Sequence, residues 1–179
     1  MSKSSEVKLL VQVGIVAAFA TLAFVGTFII RIPIPATGGY FNLGDTFVMT
    51  AALLYGPVTG VLVGLIGPAM ADAIGFPQFI LATGVVKALE GGVMGWLAGP
   101  GRGKGKVLPA LALGVVILVG GYFVFEAFIY PALATAIPFF GVTDAKAALA
   151  EIVPNLIQGV ISAMIAFGVW KVFNRQSDD

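Results

Sequence analysis

The sequence predicts an all-α integral membrane protein, a six-transmembrane-helix bundle with both termini in the cytoplasm. The class follows from composition: 59% of the 179 residues are hydrophobic, only 11% are charged, and the mean hydropathy is +1.02. No soluble domain of this length can bury so much apolar surface. A helix that crosses a bilayer needs about 20 apolar residues. Six spans would therefore use most of the chain, as one transmembrane domain over residues 1–179.

Charges, prolines and glycines set the limits of the predicted spans. The first apolar stretch is bracketed by Lys8 and Arg31, and the segment RIPIPATGGYFN after it is typical of an ordered loop. The next apolar run, residues 43–74, is too long for one span. We divide it at Gly56-Pro57, because proline disfavours a helix at the residue before it. The predicted spans are residues 9–30, 43–56, 57–74, 78–98, 107–130 and 149–173.

The basic residues decide whether residues 43–74 cross the membrane once or twice. With six crossings, Arg31 and Lys146 lie outside and Lys87 lies within a span. The remaining basic residues then all lie in the cytoplasm: Lys3, Lys8, Arg102, Lys104, Lys106, Lys171 and Arg175. Five crossings would place the basic loop GPGRGKGK and the polar tail outside, against the positive-inside rule. We therefore expect a multi-pass protein of the cell membrane, with the lipid bilayer around it.

Several kinds of chemistry are excluded by the residues that the sequence lacks. It contains no cysteine and no histidine, which removes disulfides, thiolate metal sites, imidazole-ligated haem and histidine-dependent catalysis. The net charge of +1 gives no reason to expect a nucleic-acid partner. The loop GPGRGKGK does not match the phosphate-binding pattern G-x-x-x-x-G-K-[ST]. We expect no cofactor, and any ATPase that works with this chain must be another subunit.

Rows of small residues along the spans allow helix backbones to approach closely in lipid. The default role of such a row is packing inside the bundle, and this applies to Gly60, Gly64 and Gly67 on the third span and to Gly91 and Gly95 on the fourth. The row on the first helix is more extended, and an N-terminal helix lies easily at the edge of a bundle. This face is the candidate for docking a partner, and its residues are Gly14, Ala17, Ala18 and Thr21.

Charged residues within the spans are candidates for a structural or functional role, because placing each one in the membrane costs about 2.5 to 3.5 kcal/mol on insertion scales. Lys87 and Glu90 are three residues apart, so they share one face of a helix. They form either an ion pair that fixes helix packing or a pair of ligand contacts. Asp45 follows the sequence NLG at the start of a helix, and we interpret it as a cap of the backbone amides.

Further polar residues lie at similar depths, near the outer ends of three predicted spans: Asp72, Glu126, Asn155 and Gln158. They could open on one cavity that faces the outside. Aromatic residues that could line it, and that suit a flat heterocyclic solute, are Tyr122, Tyr130, Phe139 and Phe140. The alternative for these aromatics, above all for Tyr130, is a belt at the membrane interface.

Two stretches, GGYFNLGDTFVMTAALLYGPVTGVLVGLIGPAMAD and KALEGGVMGWLAG, together with NLIQG in the last helix, carry a family resemblance. The chain resembles the substrate-binding S-components of energy-coupling factor (ECF) vitamin transporters, and the riboflavin-type group most closely. The resemblance covers nearly the whole chain, and GYFNLGD with the following LLYGP is its most specific part.

The resemblance implies that the protein captures a water-soluble vitamin or precursor near the outer surface, beneath the first loop. Riboflavin, pyridoxine and hydroxymethylpyrimidine all fit this description. ATP-driven uptake would depend on partners, namely a transmembrane coupling subunit and two cytoplasmic ATPase subunits. The family's docking row, alanine-x-x-x-alanine on the first helix, is not strictly matched here. The binding residues that the resemblance indicates are Gly39, Tyr40, Asn42, Lys87, Glu126, Asn155 and Gln158.

Two other classes of function compete with this interpretation. In a proton- or sodium-coupled secondary transporter, Glu126 or Glu90 would titrate or bind an ion during transport. The absence of a detectable internal repeat counts against such a carrier. A membrane enzyme is disfavoured because no residues form a nucleophile and base pair.

Overall fold

Seven α-helices and one β-hairpin make up the computed structural model, which describes residues 3–35, 39–141 and 143–175. The helices are α1 (Lys3–Ile29), α2 (Gly44–Tyr55), α3 (Pro57–Gly75), α4 (Ile80–Ala98), α5 (Val107–Val124), α6 (Tyr130–Ala134) and α7 (Ala145–Arg175). A π-helical segment, Phe125–Ile129, joins α5 directly to α6. Single turns of 3-10 helix occur at Pro77–Phe79, Lys104–Lys106 and Pro138–Phe140.

The segment after α1, predicted as a loop, contains a short antiparallel hairpin. Strand β1 (Ile32–Ile34) pairs with β2 (Gly39–Phe41), with Ile32 opposite Phe41 and Ile34 opposite Gly39. Proline cannot donate to a strand ladder, and Pro33 and Pro35 keep this hairpin short. The helical class is otherwise confirmed, and the hairpin marks one end of the bundle, which we call the hairpin end.

Within the described part of the chain, five helical segments are long and apolar enough to cross a membrane: Lys3–Ile29, Pro57–Gly75, Pro77–Ala98, Lys104–Ala134 and Ala145–Asn174. Helix α2 has 12 residues, about 18 Å, against a hydrocarbon core of about 30 Å. It nevertheless runs from the hairpin end to the opposite end, because Gly56 after α2 packs against Gly99 and Pro100 after α4. We call that second end, which carries residues 99–106, the basic-loop end.

The turn predicted at Gly56-Pro57 is confirmed. Gly56 has a φ of 88°, in the left-handed region that favours glycine, and Pro57 is the first residue of α3. Other helix limits differ from the prediction, since α1 begins at Lys3 and α7 continues unbroken from Ala145 past Pro154. Hydropathy marks only the apolar part of a helix, and these helices extend into polar residues.

Helices α3 and α4 cross with their backbones in contact. A Cβ atom added at Gly60 would overlap the carbonyl of Gly91, and one at Gly64 would overlap the carbonyl of Lys87. Next to the turn, a Cβ at Gly95 would lie 2.6 Å from the nitrogen of Pro57. The small residues of these two helices therefore pack inside the bundle, as predicted.

Helix α2 lies at the centre of the bundle, between α1, α3, α4 and α7. Its side chains Val48, Met49, Ala51 and Ala52 are completely buried. The outward surface is apolar instead, with large hydrophobic side chains exposed along α1, α3, α5 and α7. Such a surface suits contact with lipid, and it agrees with a multi-pass membrane protein.

Candidate ligand-binding site

A cavity lined mainly by polar side chains lies at the hairpin end, between the hairpin and the ends of α1, α3, α4 and α7 and the π-helical segment. Its free volume is about 30 Å³, enough for only one or two water molecules. The site therefore has no room for a larger molecule, and we call it closed in this sense. Its lining residues are Thr27, Gly39, Tyr40, Asn42, Pro68, Asp72, Phe79, Thr83, Lys87, Tyr122, Glu126, Glu151, Asn155 and Gln158.

All seven residues predicted to bind a ligand line this cavity. Gly39, Tyr40 and Asn42 come from the hairpin and its exit, and Lys87 comes from α4. Glu126 lies on the π-helical segment, and Asn155 and Gln158 lie on α7. Residues that are up to 119 positions apart in the chain thus meet in one place.

Lys87 lines the cavity and forms an ion pair with Asp45, which lies just outside the lining, and both side chains are almost completely buried. We call this ion pair the base of the cavity. The sequence left open whether Lys87 and Glu90 form an ion pair or contact a ligand, and in the structure the ion-pair partner of Lys87 is Asp45. Glu90 is fully buried and does not line the cavity. The capping role predicted for Asp45 is also wrong, because the start of α2 has no side-chain cap and the Asp45 carboxylate points to α4 and α7.

Gln158 connects this ion pair to the hairpin. Its Nε2 donates a hydrogen bond of 2.7 Å to the Asp45 carboxylate, and its Oε1 accepts one of 2.7 Å from the backbone N–H of Asn42. The side chain of Asn42 in turn accepts from the backbone N–H of Gly44, at 2.9 Å. One amide of α7 therefore fixes both the base of the cavity and the segment that leaves the hairpin.

A second set of contacts holds the hairpin against α3. The Tyr40 hydroxyl donates a hydrogen bond to the Asp72 carboxylate. The Arg31 guanidinium lies 4.4 Å from the ring centroid of Phe28 and 5.2 Å from those of Tyr40 and Phe76, and it donates to the carbonyl of Ala71 at 2.8 Å. Burial, and then the Asp72 carboxylate, raise the pKa of the Tyr40 hydroxyl, so it stays a neutral donor.

The opposite wall of the cavity is acidic. Glu126 and Glu151 are electrostatic neighbours, both buried, and Asn155 Nδ2 lies 3.4 Å from a carboxylate oxygen of Glu151. Glu126 is placed by the π-helical segment. Pro131, four residues after Ala127, cannot donate to that carbonyl, and a wider turn accommodates it.

The predicted aromatic lining is confirmed for one residue of four. Tyr122 lines the cavity, and its hydroxyl lies 2.9 Å from that of Thr83. Tyr130 is completely buried behind the cavity, accepts from the backbone N–H of Ala82 and stacks on Phe140, so the interfacial position also predicted for it is wrong. Phe139 is half exposed and does not line the cavity.

The candidate docking face of α1 points away from the rest of the chain. Gly14, Ala17, Ala18 and Thr21 are all exposed, and a Cβ on Gly14 would meet nothing within 4 Å. Thr21 donates to the carbonyl of Ala17 at 2.8 Å, so its hydroxyl is satisfied within its own helix. This row is therefore not used for internal packing, in contrast to the glycines of α3 and α4.

Sequence reasoning missed Asp45 as part of the site's base and Glu151 as part of its wall. A signal for Glu151 existed, because Glu151, Asn155 and Gln158 follow the i, i+4, i+7 spacing of one helix face. Nothing comparable distinguishes Asp45, since a carboxylate in the first turn of a helix is common. Thr27, Phe79 and Thr83 line the cavity as well and carried no signal.

The apolar outer surface and the small polar cavity at one end are the features of a membrane-embedded protein with a candidate small-molecule site. Residues 4–175 match the model of the ECF-type riboflavin transporter S component family, and the chain belongs to that family. Such an S component is the substrate-binding subunit of a transporter and not an enzyme. The fold is similar to a solved S component of a bacterial ECF transporter, with a TM-score of 0.70 and 16% identity over 94% of this chain and 98% of the other.

A similar sequence occurs in Pyrococcus woesei. That protein, described as an uncharacterized protein in the gap 3' region, is 34% identical over 152 residues, which cover 85% of this chain and 94% of the relative.

Proposed function

We propose that this chain captures a water-soluble vitamin or vitamin precursor at the extracellular side of the cell membrane, for ATP-driven uptake. Riboflavin, pyridoxine and a hydroxymethylpyrimidine are the substrates to consider. The observation that carries the proposal is the closed polar cavity beneath the hairpin, which collects all seven predicted binding residues. Membership in the S component family supports it.

The proposed orientation places the hairpin end outside and the basic-loop end in the cytoplasm. Lys104, Lys106 and Lys171 belong to the basic-loop end, as the positive-inside rule requires of the cytoplasmic side. Six crossings follow if α2 counts as a short crossing, because it connects the two ends. Both termini are then cytoplasmic.

A substrate of vitamin size needs several hundred Å³, about ten times the free volume of the closed cavity. Binding therefore requires displacement of the hairpin, the only described lining element that is not a helix or a helix end. The Tyr40–Asp72 hydrogen bond and the rings around Arg31 are the contacts that would break and re-form.

The proposed partners are a transmembrane coupling subunit and two ATPase subunits. The exposed small-residue row of α1 supports a helix-docking role, since it leaves room for a second helix backbone at close range.

The test is uptake in cells that carry this chain with and without the ATPase subunits, together with mass spectrometry of ligand retained through purification. We expect uptake only with the ATPases, and a retained vitamin-like heterocycle. Uptake that persists without the ATPases but stops when the proton or sodium gradient is removed would instead establish a secondary transporter.

Binding to the purified chain tests the site itself. We expect Asn155→Ala to weaken binding of the retained ligand, because Asn155 combines a buried amide with a position on the acidic wall. Unchanged affinity would remove Asn155 from the site.

A further inference from the structure

The basic-loop end carries a second kind of cavity, which the proposed function does not use. It lies between the turn Lys104–Lys106, the start of α5 and the end of α7, and its volume is about 340 Å³. Two exposed lysines from different elements line it, Lys104 and Lys171. Among the described residues, no aspartate or glutamate lines it. The described lining is therefore positively charged.

The remaining walls of this cavity are largely apolar. Leu108 of α5 and Phe167 and Trp170 of α7 supply them, and the rings of Phe167 and Trp170 stack with their centroids 5.9 Å apart. Leu108 is 62% exposed, so this wall continues onto the outward apolar surface of the bundle. An adjoining cavity of about 360 Å³ shares Lys104 and Trp170 and adds Arg102. Positive charge and lipid-facing apolar surface thus meet in one place.

We propose that this cavity binds an anionic phospholipid from the membrane leaflet at the basic-loop end. The lipid phosphate lies between Lys104 and Lys171, and an acyl chain follows Leu108 and Phe167. Basic pockets between transmembrane helices bind anionic headgroups, and lysine reaches headgroup level while its stem covers apolar surface. Trp170 suits this depth, because tryptophan is enriched where headgroups meet hydrocarbon.

A lipid matches both halves of the lining. A soluble anion would bind the lysines and leave the apolar walls without a partner, and an acidic protein segment would approach from water rather than from the face on which Leu108 is exposed. The inference does not depend on the substrate. It therefore stands or falls separately from the proposed function.

The two tryptophans of the chain, Trp96 and Trp170, provide a reporter and a matched control. Trp96 is 61% exposed near the same end of α4 and lines neither cavity. In Trp96→Phe only Trp170 fluoresces, and in Trp170→Phe only Trp96 does. The purified full-length chain is placed in phosphatidylcholine bilayers with rising fractions of phosphatidylglycerol or phosphatidylcholine that is brominated near the ester. Bromine quenches a tryptophan that it contacts, so quenching measures which lipid lies beside each ring.

We expect brominated phosphatidylglycerol to quench Trp170 at a mole fraction about tenfold lower than brominated phosphatidylcholine requires. The two lipids should quench Trp96 equally. Replacing Lys104 and Lys171 together with glutamine, in Trp96→Phe, should remove the preference at Trp170. Lys3→Gln with Lys8→Gln removes the same charge from exposed positions on α1 at the same end of the bundle and should preserve it.

Equal quenching of Trp170 by the two lipids would overturn the inference, as would an equal preference at Trp96 or a preference that survives loss of both lysines. Displacement of phosphatidylglycerol by millimolar inorganic phosphate or by a polyglutamate peptide would also overturn it, because the lysines would then bind a soluble anion or an acidic partner. Size-exclusion profiles show whether each variant is folded. If the double lysine variant does not fold, the comparison of Trp170 with Trp96 still decides.

Discussion

Gln158 on α7 donates a 2.7 Å hydrogen bond to Asp45 on α2, and this amide is the direct connection between the ion pair at the base of the cavity and the hairpin above it. The contact joins residues 113 positions apart in the chain. Gln158 stabilises both the helix bundle and the closed cavity, because its Nε2 donates to Asp45 and its Oε1 accepts from the backbone N–H of Asn42.

Replacing Gln158 with alanine should therefore affect stability and binding at once. The change leaves a carboxylate oxygen of Asp45 and the N–H of Asn42 buried without partners, at a cost of about 1 to 3 kcal/mol each. We expect a lower midpoint of thermal unfolding and weaker binding of the retained ligand. Gln12→Ala, at an exposed position on α1, is the matched control and should change neither quantity.

The Lys87–Asp45 ion pair is suited to a double-mutant cycle. Removing one partner leaves a buried charge uncompensated, so Lys87→Met or Asp45→Asn alone should destabilise the chain by about 3 to 5 kcal/mol. The double variant should recover part of this loss, because no unpaired charge remains. Thermal or denaturant unfolding in detergent provides the comparison, and strictly additive losses would show that the pair is not coupled.

Tyr40→Phe should make ligand release faster. The phenylalanine keeps the ring beside Arg31 but loses the hydrogen bond to Asp72, which is a bond to a charged acceptor and should be worth about tenfold in the dissociation rate. Stopped-flow or filter-binding kinetics with the retained ligand measure this rate. Tyr55→Phe, at a partly exposed tyrosine at the other end of α2, should leave it unchanged.

Gly64→Leu should prevent the chain from folding, since its side chain would have to occupy the position of the Lys87 backbone. Gly120→Leu tests the specificity of this effect, because a Cβ at Gly120 meets nothing within 4 Å. Size-exclusion profiles and ligand retention after membrane extraction report the outcome. A monodisperse, ligand-retaining Gly64→Leu protein would contradict the packing of α3 on α4.

Ala18→Trp should abolish assembly with the coupling subunit while ligand affinity stays intact. Ala18 is exposed on the small-residue row of α1, and a tryptophan there would hold a second helix away. Co-purification with the coupling and ATPase subunits measures assembly. Loss of ligand binding in this variant would show that the face packs inside the chain instead.

The fold was largely predictable because hydropathy and proline act locally. The apolar stretches, the Gly56-Pro57 turn and the packing glycines of α3 and α4 all follow from short-range patterns. The hairpin was missed because two strands of three residues leave almost no periodic signal.

The sequence predicts which residues belong to the site better than it predicts which of them contact each other. A polar residue in an apolar span stands out, which is why Lys87, Glu126, Asn155 and Gln158 could be selected. Whether Lys87 pairs with Glu90 or with Asp45 depends on how closely α2 and α4 approach, and that distance is a property of the folded bundle. Tyr130 was misplaced for the same reason, since only the folded chain stacks Phe140 on it.

The close crossing of α3 and α4 also constrains how the cavity can open. Two helices whose backbones touch cannot shift relative to each other without a clash. Helices α3 and α4 should therefore move as one rigid body that carries Asp72, Thr83 and Lys87. Widening the cavity then falls to the hairpin and to the wall formed by the π-helical segment and α7. We therefore expect an asymmetric motion. The hairpin and the wall that carries Glu126 and Glu151 move when the substrate leaves, while the side of the cavity that carries Lys87 stays in place.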